Sequence, residues 1–486
     1  KVAENYIQNS SHDPLRPGAL ERGQATASTM VNAFYMCSYV TPMLAGIVSD
    51  VYLGRFKTVL LSYSIYILGI TILFITSLPT MLERGAGLPG LIIAMLIISF
   101  GVGAMKSLIP PYVAEQCALV TEEVRTKKNG ERVFVSREAT IEYAINIYYW
   151  SCNLGTQSRI AATFIEKDHG FWATYLMALC SLSLGLVLLL LCRKHLIEFK
   201  PQDNMLIWAG KAFSIAIRNG FTLDAATVDA VLSRNGKTVS WTNDFIEQLK
   251  AGLAASRVFL PFIIYWLCQA QMTTNTVSQA GNMKTHGAPN DLLPALNSFT
   301  IVLALPLVNY LVYPRLRRVG FALSPICRIA LGFALESLGM AWAAGVQGWI
   351  YASPPCFGRP RACAASHGGA LPNNLSVAVQ LPVYVLEGLG EVFAVPAAYE
   401  YAFSRAPSGM RSMIQAVYVL CAAMGSLIAL ALNPTYKDPD LLFMYAGLAA
   451  AMMAVMMLFV VVFYKQNRRD EEKKGRLSRL GGGIYN

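Results

Sequence analysis

Apolar residues fill eleven stretches of the chain almost without interruption: 27–49, 57–78, 88–117, 139–163, 171–192, 257–281, 294–313, 324–350, 376–403, 411–432 and 441–464. A helix crosses the hydrocarbon layer in about 20 apolar residues. Each stretch is therefore predicted to be a spanning helix, and the fold class to be all-α, a polytopic membrane protein. Lys and Arg collect in alternate connections (50–57, 119–138, 193–255, 315–328, 404–411) and in the tail 465–479. The connections between them, 79–87, 166–170, 282–293 and 351–373, carry few cations. The positive-inside rule then puts the tail in the cytoplasm and Lys1 outside. The longest connection parts five spans from six. It predicts an N-terminal bundle 1–192, a cytoplasmic linker 193–255, a C-terminal bundle 256–464 and a basic tail 465–486, solvated or at the headgroups. Amphipathic helices are expected in the linker at Met205–Arg218 and Asn243–Leu253. An odd count with a polar external start implies one more helix upstream, so that about eleven of twelve spans are present.

Composition sharpens the class. The 486 residues are 55% hydrophobic and 14% charged, which suits a membrane protein and not a chain of soluble domains. The +11 net charge could suggest nucleic acid, but the cations alternate with the spans and acids interrupt the basic tail, so no nucleic-acid partner is expected. Most of the ten cysteines lie inside spans as small hydrophobes; Cys356 and Cys363 share an exposed loop whose spacing permits a disulfide. No phosphate-binding loop, metal-ligand spacing or nucleophile–base pair is evident. An enzyme, an ATP-driven pump and a bound cofactor are accordingly not expected. Asn9 and Asn374 begin external glycosylation sequons, the second close to the membrane.

A few charges stand inside the spans. Lys106 interrupts LPGLIIAMLIISFGVGAMKSLIPP, residues 88–111. A charge at that depth costs about 3 kcal/mol, so it faces a wet cavity or a partner, or snorkels to the headgroups. Glu391 sits mid-span, with Glu387 one turn earlier on the same face. Burial disfavours the charged form of a carboxylate unless a cation compensates, which makes such a group a natural proton or ammonium site. A lysine in the first bundle and a glutamate in the second could clamp the two ends of a zwitterionic peptide. Glu387 could instead hydrogen-bond within its own bundle. Glu400 reads as a gate or ion-pair residue, and Glu115 and Glu142, towards cytoplasmic helix ends, as solvated. Tyr35 and Tyr39 could line a cavity or meet lipid, and Trp266 could be a cavity wall or a buried aromatic.

Five stretches carry a resemblance. GIVSDVYLGRFKT, Gly46 to Thr58, resembles the G-x-x-x-D-x-x-x-G-R loop of the major facilitator superfamily, with Gly46, Asp50, Gly54 and Arg55 in register. Arg55 and Lys57 are expected to anchor at headgroups. YYWSCNLGT, Tyr148 to Thr156, is similar to the F-Y-x-x-I-N-x-G-S motif of the proton-dependent oligopeptide transporter (POT) family, matching at Tyr149, Asn153 and Gly155. Asn153 could otherwise be only helix-packing glue. FGVGAMKS resembles that family's G-T-G-x-K-P/S. The stretches 264–297 and 390–416 resemble the seventh to eighth and tenth to eleventh helices of its fungal members.

The resemblance implies a major facilitator fold of two pseudo-symmetric bundles, acting as a proton-coupled symporter that imports di- and tripeptides by alternating access. It implies substrate-binding roles for Lys106, Asn153, Trp266, Asn297 and Glu391, with Tyr418 as an aromatic wall and Tyr35 as a further candidate. Lys106 and Glu391 are the candidate coupling residues; Gly46, Asp50, Gly54, Arg55, Tyr149, Gly155 and Glu400 carry the structural and gating motifs. Its partners would be a small peptide, protons and the bilayer, in a monomer at the plasma membrane. Two departures bear on coupling. The family's E-x-x-E-R helix has no counterpart in this sequence, and Gln269 and Ala270 fill an acidic position of many bacterial members. Nitrate or a small organic anion as solute, and a non-transporting receptor, are the alternatives.

Overall fold

The computed structural model describes residues 6–7, 18–117, 123–126, 132–135, 137–198, 205–220, 222–236, 238–273, 275–285, 293–319, 323–360, 362–367, 371–405, 411–432 and 438–480. The Asn9 sequon lies outside them. Apolar chain with no water to bond its backbone must satisfy every N–H and C=O internally. The sequence accordingly folds into helices: α1 (Gly23–Ile47), α2 (Arg55–Thr76), α3 (Gly87–Gln116), α4 (Arg137–Thr156), α5 (Ser158–His169), α6 (Phe171–Cys192), α7 (Met205–Arg218), α8 (Val228–Asn235), α9 (Asn243–Ser256), α10 (Phe262–Thr273), α11 (Asn275–Gly281), α12 (Ala295–Leu307), α13 (Pro325–Ala352), α14 (Leu381–Arg405), α15 (Arg411–Ala431) and α16 (Leu441–Leu480). Among the described residues, nine helices are long and apolar enough to cross a membrane. Two expected spans differ. The stretch 139–163 breaks at Gln157 into α4 and α5, and α4 carries Glu142, Asn146 and Asn153 along its length. In α15 the apolar run among the described residues is Val417–Ala431.

Three details depart from the expected all-helical pattern of spans and loops. A short antiparallel hairpin, Glu123–Thr126 with Arg132–Val135, stands between α3 and α4. The basic tail continues α16 as helix to Leu480. Cys356 and Cys363 are joined by a disulfide, their Cα atoms 5.4 Å apart.

The chain divides into two compact units, each discontinuous in sequence. Unit 1 holds residues 1–116, 161–260 and 402–423. In it α3 lies against α1 and α2 at glycines: a Cβ on Gly103 would stand 2.4 Å from the Ser38 carbonyl oxygen, and one on Gly101 2.8 Å from Tyr66. Tyr6, Leu91, Ile98, Phe171 and Tyr175 form its largest described core. The two predicted amphipathic helices, α7 and α9, close a separate small core of Ala209, Ala212, Trp241, Phe245, Ile246 and Leu249. Outward, α6 exposes Leu184, Leu188 and Leu191, a surface suited to lipid.

Unit 2 holds residues 117–160, 261–401 and 424–486. Its helices approach closely at Gly425, where a Cβ would lie 2.7 Å from the Ile263 carbonyl oxygen and 2.9 Å from the Trp266 Cβ. Pro306 in α12 removes a backbone donor, and the helix relaxes into a π-turn over Val308–Val312. That turn presents Asn309, which accepts a 2.9 Å hydrogen bond from Asn146 of α4.

Candidate functional site

In unit 2, α4, α12 and α14 converge on the Glu391 carboxylate. The Tyr149 hydroxyl donates to its Oε1 in a short hydrogen bond. The Asn297 amide donates to Oε2 at 3.2 Å and also approaches the Met272 Sδ at 3.4 Å. Tyr399, two turns along α14, packs edge-on to Tyr149 with ring centroids 6.3 Å apart. Both oxygens are thus held by neutral donors, and among the described residues no cation pairs with Glu391. A carboxylate fixed in this way remains open to a proton or an ammonium group. Tyr149, read from the sequence as a motif residue, is one of the two groups that orient this carboxylate.

The remaining candidates of unit 2 are less tightly drawn in. Asn153 is buried and donates to the Tyr149 carbonyl oxygen at 3.1 Å, which is the packing role weighed for it. Gly155 faces open space, since an added Cβ would meet nothing within 4 Å. Trp266 is half-buried, edge-on to Tyr265 at 5.5 Å. Gln269 donates to the Tyr265 hydroxyl and to Glu336 Oε2, both at 3.2 Å.

In unit 1, the Gly101 and Gly103 contacts of α3 carry Lys106 to α1, where its Nζ lies 4.4 Å from the centroid of the Tyr39 ring. A cation–π contact of this kind is worth about 0.5–2 kcal/mol. Lys106 has no ion pair among the described residues. Tyr35 stacks on Tyr39 with centroids 6.4 Å apart and is 44% exposed, so these rings extend the surface beside Lys106. Tyr418 is fully buried, edge-on to Phe259 at 5.4 Å. It is a packed aromatic of this unit.

Each unit also contains a buried arginine between two carboxylates. In unit 1, Gly54 adopts φ +76°, a conformation that suits glycine and turns the chain sharply after the π-helical Val48–Leu53. Gly46 is buried before the turn. Arg55 then pairs with Asp50 at 3.5 Å and, in a short contact, with Glu115. Lys57 stays exposed, but Arg55 does not anchor at headgroups and Glu115 is not solvated: burial at 9% and 5% exposure demands pairing. In unit 2, Arg328 bonds Glu142 at 3.0 Å and, more closely, Glu400, while its guanidinium lies 5.6 Å from the Tyr313 ring centroid. Glu142 is therefore an ion-pair residue, not a solvated one. Glu400 is the ion-pair residue expected.

A model of the POT family matches residues 56–454. A protein of Schizosaccharomyces pombe described as a probable peptide transporter is 35% identical over 448 residues, covering 92% of this chain and 71% of that protein. The peptide transporter PTR2 of Saccharomyces cerevisiae is 33% identical over 448 residues, covering 92% and 73%. Among solved structures, the POT family transporter PepTSo superposes with a TM-score of 0.63 at 18% identity, covering 91% of this chain and 90% of that one. An auto-inhibited POT family peptide transporter gives 0.62 at 18% identity, covering 95% and 92%. With the fold and the matched span in agreement, the chain belongs to the POT family.

Proposed function

We propose that this protein is a secondary transporter that carries small peptides across a membrane together with protons. The observation that supports this most is Glu391, fixed by Tyr149 and Asn297 and left without a cation among the described residues. Such a group suits the ammonium end of a peptide, or a proton in its absence. In unit 1, Lys106 lies beside the Tyr39 ring and has no ion pair among the described residues, which suits it to an anionic group. The relatives named as peptide transporters support the same substrate class. Each proton driven through the membrane supplies about 2.3 kcal/mol per 100 mV, enough to concentrate a neutral zwitterion. The protein acts as a transporter and not an enzyme, as a monomer, at the plasma membrane.

Uptake of a labelled dipeptide into vesicles containing the purified chain, with and without an inward proton gradient, tests the reading. Gradient-dependent uptake is expected, and Glu391→Gln and Lys106→Ala should each abolish it. Uptake of nitrate in place of peptide would overturn the substrate class. Ligand binding without flux would favour a receptor. A fluorescent fusion confined to an internal membrane would overturn the location.

A further inference from the structure

The crossing of α13 and α14 leaves no room for side chains at its centre. A Cβ added to Gly332 would lie 2.6 Å from the Gly390 carbonyl oxygen, and one on Gly390 3.0 Å from the Gly332 oxygen. Acids flank this contact. Glu336 follows Gly332 by one turn, its backbone nitrogen 3.4 Å from a Cβ built on Gly390. Glu387 precedes Gly390 by three residues, its Cγ 3.2 Å from a Cβ built on Gly339. Both glutamates have zero exposure. Among the described residues neither oxygen of Glu387 has a hydrogen-bond partner, nor does Oε1 of Glu336. The other Glu336 oxygen accepts from Gln269.

Among the described residues, the groups placed around this pair are neutral or acidic. From α10 comes the Gln269 amide, with the buried Cys268 next to it in sequence. On α14 itself, Tyr384 and Glu391 stand one turn to either side of Glu387. Tyr384 gives its hydroxyl proton to Thr276 Oγ1 at 3.3 Å, and Glu391 is occupied by Tyr149 and Asn297. Two carboxylates buried with no cation among the described residues repel each other, and three of their four oxygens have no donor there. A proton on one of them removes a charge and adds a donor, since a protonated carboxyl both donates and accepts.

We propose that Glu336 and Glu387 form a carboxyl pair that holds a proton and exchanges it during the transport cycle, a proton site separate from Glu391. The exchange during transport rests on the function proposed above; the holding of the proton does not.

Infrared difference spectra of the purified full chain in lipid vesicles, recorded on changing pH, test the proton directly. The wild type should show a protonated-carboxyl band that each of Glu336→Gln and Glu387→Gln reduces and the double variant loses. An unchanged band in the double variant overturns the proposal. Should the amide variants misfold, Glu387→Asp keeps the carboxyl and should shift the band; an unshifted band overturns the proposal equally. Dipeptide counterflow, which needs no net proton movement, separates the two readings. Counterflow retained with gradient-driven uptake lost in the double variant supports exchange, and a full gradient response in that variant refutes it. A wild type with the band but no counterflow supports the proton pair and refutes peptide transport.

Discussion

Helices α13 and α14 carry two buried charge sites of opposite design. At one, Arg328 pairs with Glu142 and Glu400. At the other, about two turns along α13, Glu336 and Glu387 are fully buried with no cation beside them among the described residues. The same two helices thus hold one set of acids as fixed ions and leave another set free to take a proton. The difference lies in the partner supplied. A guanidinium brings five donors and a permanent charge, so the acids around Arg328 stay ionised and locked. Glycines at 332, 339 and 390 press the backbones together beside the other pair. Burial alone therefore does not say whether an acid is structural.

The largest effect should come from removing the cation. Arg328→Leu takes the guanidinium away from two buried carboxylates, a loss of roughly 3–5 kcal/mol, visible as a large drop in thermal unfolding temperature in detergent. A drop no greater than that of a surface variant would show the triad to be hydrated and the contrast false. Next comes a neutral network that joins α11, α13 and the turn before α14. There Gln279 donates to Gln347 at 2.7 Å and accepts from Gln380 at 2.8 Å, all three buried. Gln279→Leu strands both partners and should cost roughly 1–3 kcal/mol in the same assay.

Replacing an acid of the uncompensated pair should behave in the opposite sense. Glu387→Met removes a carboxyl that has no partner, so stability should hold or rise by about 1 kcal/mol, while proton-coupled uptake falls. A destabilised Glu387→Met protein would mean that the pair is held by bonds like those of Arg328. The smallest effect belongs to the exposed Asp224–Lys250 pair, 2.7 Å apart on the linker. Hydrogen bonding to Lys250 holds the Asp224 carboxyl below its ordinary range. Any stability it adds is present above the unfolded value and lost as pH falls through the folded one. Solvent screens that contribution, so Lys250→Ala should leave the acid limb of the unfolding curve unchanged.

The helical architecture was legible because a bilayer imposes it: apolar length suffices to mark most spans. The breaks were less so. Gln157 interrupts a stretch that is apolar on average, and the polar residues of α4 matter only once their partners are known. Glu336 went unremarked although the rule that singled out Lys106 and Glu391, a charge inside an apolar span, applies to it equally. Arg55 looked like a headgroup anchor because its place at a helix start fits one; its partner Glu115 lies far along the chain. Tyr149 and Glu391 are 242 residues apart, and Glu142 and Arg328 186. No local spacing connects such pairs.

By itself the sequence determined that the chain spans a membrane, most of the segments that do so, and, through its motifs, which family it belongs to. Those follow from transfer free energies and short patterns that act locally along the chain. Tertiary structure alone decided which buried acids meet a cation, which meet a tyrosine or an amide, and which keep oxygens with no donor among the described residues. That choice fixes the charge each acid can bear, and it depends on side chains brought together from helices remote in sequence.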